Sequence, residues 1–117
     1  MKATASNEAA RFADMFAAMG SESRVRIMQQ LLGAHPDGLT VGEIQANLGI
    51  SPSNMSHHLE KLKHEGLVEV QREGTYLRCR ASVSALRELL SFLYSECCTR
   101  SKAVNPKAIL QAGKPAR

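Results

Sequence analysis

A mainly α-helical fold with one small β-hairpin is what this sequence predicts, and three observations predict it. Apolar residues recur at helical spacing in several separate stretches, two of them short and joined at a glycine. Two runs of strand-like alternation flank Glu73-Gly74, a hairpin turn pair. The chain has 117 residues, enough for one domain with one modest core.

The elements follow in order. From about Asn7 to Met19, the residues Phe12, Met15, Phe16 and Met19 recur at i, i+3, i+4 and i+7, one face of a helix. Gly20 ends it, and Ser21 is placed to cap the next. That second helix carries Val25, Ile27, Met28, Leu31 and Leu32 and stops in the loop from Gly33 to Gly38, which contains Pro36. Then Thr40-Val41-Gly42-Glu43 forms a capping box, with Leu39 and Ile44 in the staple positions. Val41, Ile44 and Leu48 make the apolar face of this short helix, and Gly49 stops it. Another helix starts at once, with Ser51 as N-cap, Pro52 at the first helical position and Ile50 stapled to Met55. Two short helices about a tight glycine turn form a helix-turn-helix.

The second of these helices runs to about Glu65, with Gly66 at its end. Met55, Leu59 and Leu62 share one side; Ser53, His57, Glu60 and His64 lie opposite, flanked by Asn54, Ser56 and Lys61. Its outward N-terminal face is small and polar. A helix that reads base edges needs such a face, because bulk would hold it off the groove floor.

Two strands follow, Leu67–Arg72 and Thr75–Ala81. In the second, Leu77, Cys79 and Ala81 share one face, while Tyr76, Arg78 and Arg80 share the other. The last helix begins near Ser82 and carries Val83, Leu86, Leu89, Leu90 and Leu93 to about Cys97. With the first helix, it offers more apolar face than a body of ~95 residues needs. A homodimer is therefore predicted, with Phe12, Met15, Phe16, Met19, Leu86, Leu90 and Leu93 at its interface. The order α-α-α-α-β-β-α, with the hairpin beside the helix-turn-helix, is that of a dimeric winged helix-turn-helix.

Composition removes several function classes. No apolar run approaches the ~20 residues that span a bilayer, so no membrane partner is expected. The N-terminal stretch lacks an apolar signal core, which points to the cytoplasm. In that reducing compartment three cysteines suit thiol chemistry better than a disulfide framework. Aromatics are only 4%, too few for a surface that stacks single-stranded bases. No carboxylate pair, phosphate-cradling glycine loop or Cys–His arrangement supports an enzyme.

The net charge is +4, but its placement qualifies it. Residues 1–98 hold ten Lys/Arg and all eleven Asp/Glu, a balance of −1; residues 99–117 hold five bases and no acid. The expected organisation is a DNA-binding and dimerisation domain over 1–98 and a basic, flexible tail over 99–117. The body is thus no generic polyanion binder. It must recognise nucleic acid by local geometry, with the tail adding salt-sensitive affinity or folding over the end of the last helix.

MFAAMGSESRVRIMQQLL, followed by LTVGEIQANLGISPSNMSHHLEKLKHEGLVEVQREGTYLRC, resembles the ArsR/SmtB family of metalloregulatory repressors. The likeness covers about residues 10–95, and the run from Ser51 to Leu59 with Gly66-Leu67-Val68 and Arg72-Glu73-Gly74 is its most specific part. It implies a dimeric repressor that sits on double-stranded operator DNA and leaves when an inducer binds. Ser51, Ser53, Asn54, Ser56 and His57 would meet base edges and phosphates, with Lys61 and Lys63 nearer the backbone. The hairpin would touch phosphate or the flanking minor groove through Arg72 and Thr75.

Two departures from the family narrow the signal. Many of its arsenic, cadmium and lead sensors carry a C-x-C-type motif on the helix before the reading helix. Here that helix, Thr40 to Asn47, has no thiol. Its zinc and nickel sensors place Asp and His along the last helix; here Val83–Tyr94 has neither. What remains is the vicinal pair Cys97 and Cys98. Some arsenic-responsive members place cysteines near this helix end, so the resemblance makes the pair a candidate site for a thiophilic metalloid.

Thiolates suit soft ions, and Arg100 and Lys102 favour the thiolate form, although a helix C-terminus opposes it. Cys79 is a weaker third candidate, because its strand face is apolar. Inorganic arsenite takes three thiolates, whereas a trivalent arsenical with one As–C bond takes two. Two cysteines tilt the expected inducer from inorganic As(III) or antimonite toward a trivalent organoarsenical, with no resident cofactor required.

Three other readings stay open at this stage. The pair could sense oxidants, persulfide or mercury on the same fold. It could be small apolar packing at a dimer seam. The domain could be a non-inducible module whose winged helix docks a protein. Of the histidines, His35 reads as a solvated loop residue, His58 as packed at the helix flank and His64 as a surface residue.

Overall fold

The structure, a computed structural model, describes the backbone over residues 2–98 and the side chains over residues 7–95. The tail expected over 99–117 lies outside the described residues. Eight elements run in order: α1 Lys2–Ala18, α2 Glu22–Gly33, β1 Leu39–Thr40, α3 Val41–Leu48, α4 Pro52–His64, β2 Val68–Glu73, β3 Tyr76–Ala81 and α5 Val83–Cys98. The architecture is a winged helix-turn-helix, as the order of apolar periods predicts. Contacts within the chain divide it into two compact units, Met1–Ala85 and Leu86–Arg117.

In the first unit the helix boundaries follow from capping chemistry. Ser21 Oγ accepts from the Arg24 amide at 3.4 Å and opens α2. The capping box of α3 is complete: Glu43 N–H donates to Thr40 Oγ1 at 3.2 Å, and Thr40 N–H donates to Glu43 Oε1 at 2.8 Å. That backbone donor, with the Thr40 hydroxyl, holds the Glu43 carboxyl below the usual carboxylate range. Gly49 closes α3 in the left-handed region (φ 67°, ψ 32°), its N–H bonded to Gln45 O at 2.8 Å. Two residues later Ser51 caps α4, accepting from Asn54 N at 3.3 Å, and Pro52 occupies the first helical position.

The sheet differs from expectation by one strand. Leu39–Thr40 is a third, two-residue strand, and the order is β1-β3-β2, all antiparallel. Leu39 stands opposite Cys79 and Thr40 opposite Arg78, so the chain entering α3 is pinned to the hairpin. In β2 and β3 the register Val70↔Cys79 and Val68↔Ala81 puts the apolar residues on the inner face. Ile27 and Leu31 of α2, Ile44 of α3, Met55 and Leu62 of α4, and Leu67, Val68 and Cys79 of the hairpin are all buried. First-helix residues join them: Phe12 and Met15 are 3% and 1% exposed.

That last observation bears on the expected dimer face. Phe12 and Met15 belong to the chain's own core, so they offer little area to a second copy. Met19 is half-buried, and Phe16 stays exposed on α1. In the second unit Leu89 is buried, Leu86 is half-buried, and Leu90, Leu93 and Tyr94 are exposed on α5. Helix α1 also begins well before Asn7, at Lys2. No helix among the described residues is long and apolar enough to cross a membrane.

Gly38 tests the packing of β1 against β3. Its φ is 77°, and a Cβ there would run into the Cys79 carbonyl oxygen and the Arg80 side chain. Gly38→Ala should cost about 2 kcal/mol or more, from left-handed strain plus overpacking. Gly33→Ala, where a Cβ meets nothing within 4 Å in a helical position, should be neutral or gain up to ~1 kcal/mol. Urea midpoints of both variants check the contrast.

Candidate nucleic-acid interface

The reading face predicted for α4 is where the structure puts the exposed side of that helix. Met55, Leu59 and Leu62 are buried. Ser51, Ser53, Asn54, Ser56, His57, Lys61 and Lys63 are all exposed. The order along the helix matters. Small hydroxyl and amide groups occupy the first two turns, and the lysines come later, beside where a groove-bound helix meets the phosphate backbone. Lys61 and Lys63 make no ion pair among the described residues, so their charge is available to phosphate.

On the hairpin, Arg72 and Thr75 are exposed, as expected for a wing. Arg72 likewise has no ion pair among the described residues. Arg78 and Arg80 behave differently. Arg78 Nε donates to Glu73 Oε1 at 2.8 Å, and its NH1 reaches the Gly38 carbonyl at 3.5 Å. Arg80 Nε donates to Pro36 O at 3.3 Å, and its NH1 donates to Gln71 Oε1 at 2.7 Å. Glu73 is held below the usual carboxylate range, first by its hydrogen bond from Arg78. These two arginines therefore fasten the 34–38 loop to the sheet. Strand alternation shows only that they point away from the core. Tyr76 is the most exposed large hydrophobic side chain of the wing, at 65%, and stands with Arg72 and Thr75 near its tip. An aromatic next to a Gly-containing turn was its sequence signal.

The histidines separate by environment. His57 is exposed and His58 half-buried on the same helix, their ring centroids 5.9 Å apart. His58 Nδ1 lies 3.2 Å from Arg24 NH1, a partner 34 positions away. His64 pairs with Glu65 at 3.0 Å on the surface, and His35 is exposed. Among the described residues no three of His, Cys, Asp and Glu gather into a metal-ligand group.

The thiols also separate. Helix α5 extends through Cys98, so both vicinal cysteines are helical in backbone; their side chains lie outside the described residues. Cys79 is fully buried on the inner face of β3, and burial pushes its thiol up to about 11. At neutral pH roughly one molecule in ten thousand would carry that thiolate. It is a core side chain, which favours the reading of Cys79 as packing over its candidacy as a third ligand.

Comparison with known proteins agrees with this geometry. A model of the helix-turn-helix domain matches residues 19–71. The transcriptional activator HlyU of Vibrio cholerae is 37% identical over 82 residues, 68% of this chain and 73% of that protein. The HTH-type transcriptional regulator CmtR of Mycobacterium tuberculosis is 31% identical over 105 residues, 82% of this chain and 86% of its own. Among solved structures, an ArsR-like transcriptional regulator from Rhodococcus superposes with a TM-score of 0.70 at 25% identity, covering 94% of this chain and 99% of that one.

The buried thiol makes a direct prediction. At mildly alkaline pH, iodoacetamide should leave Cys79 unmodified in the folded protein and label it after denaturation, read by peptide mass spectrometry. Because the folded pKa of about 11 exceeds the ordinary 9.0, this thiol's contribution to stability is intact below 9.0 and is lost as pH rises through about 11.

Proposed function

The chain belongs to the ArsR family of winged helix-turn-helix transcriptional regulators, and from that premise we propose that it is a cytoplasmic, homodimeric repressor released from operator DNA by a trivalent arsenical on Cys97 and Cys98. One observation carries the DNA half of this reading: α4 is buried along one side and exposes a small, polar N-terminal face followed by lysines that make no ion pair among the described residues. Ser51, Ser53, Asn54, Ser56 and His57 take the base edges and nearby phosphates. Lys61, Lys63, Arg72 and Thr75 take the backbone. Phe16 on α1 and Leu90 and Leu93 on α5 are exposed apolar side chains that a second copy would cover.

Ligand count supports the inducer half. With Cys79 locked in the core, each chain has two thiols left to offer. A monosubstituted arsenic(III) dihydroxide reacts with two thiols to form two As–S bonds and release two waters, with no change of oxidation state. Inorganic arsenite on the same pair would keep one hydroxide. An organoarsenical therefore fits two cysteines better than arsenite or antimonite. Binding at the end of α5 would bias the dimer toward a spacing of its reading helices that no longer matches the operator. A coupling of ~1–3 kcal/mol would weaken the DNA complex about five- to 150-fold.

The test replaces both cysteines by serine. The double variant Cys97→Ser, Cys98→Ser should bind operator DNA as the wild type does and ignore phenylarsine oxide, in an anisotropy assay. The wild type should be released by phenylarsine oxide at lower concentration than by arsenite. Equal or stronger release by arsenite would overturn the organic preference. Release by peroxide or polysulfide but by neither arsenical would reassign the pair to redox or persulfide sensing. Loss of DNA binding in the double variant would make the thiols structural.

A further inference from the structure

Arg24 joins three helices and is not among the residues proposed above for DNA contact. It lies half-buried in the first turn of α2. Its Nε donates to the carbonyl of Ala18, the last residue of α1, and so satisfies one of the acceptors left open at that helix end. Its NH1 lies 3.2 Å from Nδ1 of His58 in α4. A guanidinium has only donors, so Nδ1 must be the acceptor. That fixes His58 as the neutral tautomer with its proton on Nε2. One side chain thus ties the end of α1 and the start of α2 to the middle of the helix that carries the reading face.

We propose that Arg24 and His58 are positioning residues for α4, and that neutral His58 holds this helix in its DNA-binding pose, so that acidification loosens the protein from DNA. The inference rests on the DNA-binding reading above. Protonating Nδ1 removes the acceptor and sets one cation against another at the same contact. Burial, then Arg24, then His57 lower the pKa of His58, in keeping with a contact that needs the neutral ring. Arg24 also lines an open groove of about 470 Å³ beside α4, and other charged groups stand around that groove. They are Asp14 from α1 and His57, Glu60, Lys61, His64 and Glu65 from α4 and its C-cap; α3 and β2 contribute none to this groove among the described residues. Folded His58 has a lowered pKa, so its contribution is present at neutral pH and is lost as pH falls through the folded value.

His58→Asn separates this role from mere packing. An Asn Oδ1 can accept near the position of Nδ1, and it does not titrate. Affinity for a duplex selected from a random-sequence pool would be followed by anisotropy from about pH 7.5 to about pH 5.5. His57, His64 and the carboxylates are common to both proteins, so the difference between their profiles isolates His58. At the upper end the variant should match the wild type within about twofold; at the lower end it should bind at least about fivefold tighter. Arg24→Met should bind about fivefold or more weakly at the upper end and lose the part of the acid response that separates wild type from His58→Asn.

Parallel profiles for wild type and His58→Asn would overturn the proposal, as would wild-type affinity in Arg24→Met. If Arg24→Met fails to fold, the His58→Asn comparison still decides. A wild-type chain that binds no duplex at any pH would instead remove the DNA-binding reading itself.

Discussion

Everything α4 does for this chain depends on the burial of Met55, Leu59 and Leu62 along one of its sides. Each such side chain contributes about 1.5–3 kcal/mol relative to exposure, and the three together fix the rotation of a 13-residue helix about its axis. With that rotation set, Ser53, Asn54, Ser56 and His57 have no choice but to face outward. A helix this short would be marginal alone in water. Its start is therefore reinforced: Ser51 and Pro52 cap it, and Gly49 turns the chain from α3 within a few residues. The polar face can remain small because none of its residues has to contribute to packing.

A second layer of constraint keeps this pair of helices in place. The two-residue strand β1 pins the entrance of α3 to the hairpin, and Arg78 and Arg80 fasten the preceding loop to the same sheet. Arg24 in turn links α1 and α2 to α4. The wing consequently spends two of its three arginines on structure. Arg72 is left without an ion pair among the described residues, and on the proposed function it would serve phosphate in a body whose net charge is −1.

Much of this was legible in the sequence wherever a feature is local. The capping box of Thr40 and Glu43, the Ser51-Pro52 start, the glycine turn and the hairpin all obey rules spanning four or five residues. The buried stripe of α4 follows from helical periodicity. What was not legible depends on partners far apart in the chain. A strand of two residues has no period of its own, and β1 exists only because Cys79 and Arg78 lie opposite it. The Arg24–His58 contact spans 34 positions. An apolar face on α1 looks the same whether it meets its own core or a second copy, and periodicity alone does not show that Phe12 and Met15 are buried within the chain. Cys79 was readable as apolar by strand alternation, and its burial completes that reading.

On the proposed function, the exposed N-terminal face of α4 reads base sequence as part of a symmetric pair. Selection of duplexes from a random-sequence pool, run in parallel with the wild-type chain and with Asn54→Ala, tests it most directly. The expected result is a near-palindromic motif with half-sites about one helical turn apart, and relaxed preference at one position in each half-site for the variant. An unchanged motif in Asn54→Ala, or no enriched motif with the wild type, would contradict it.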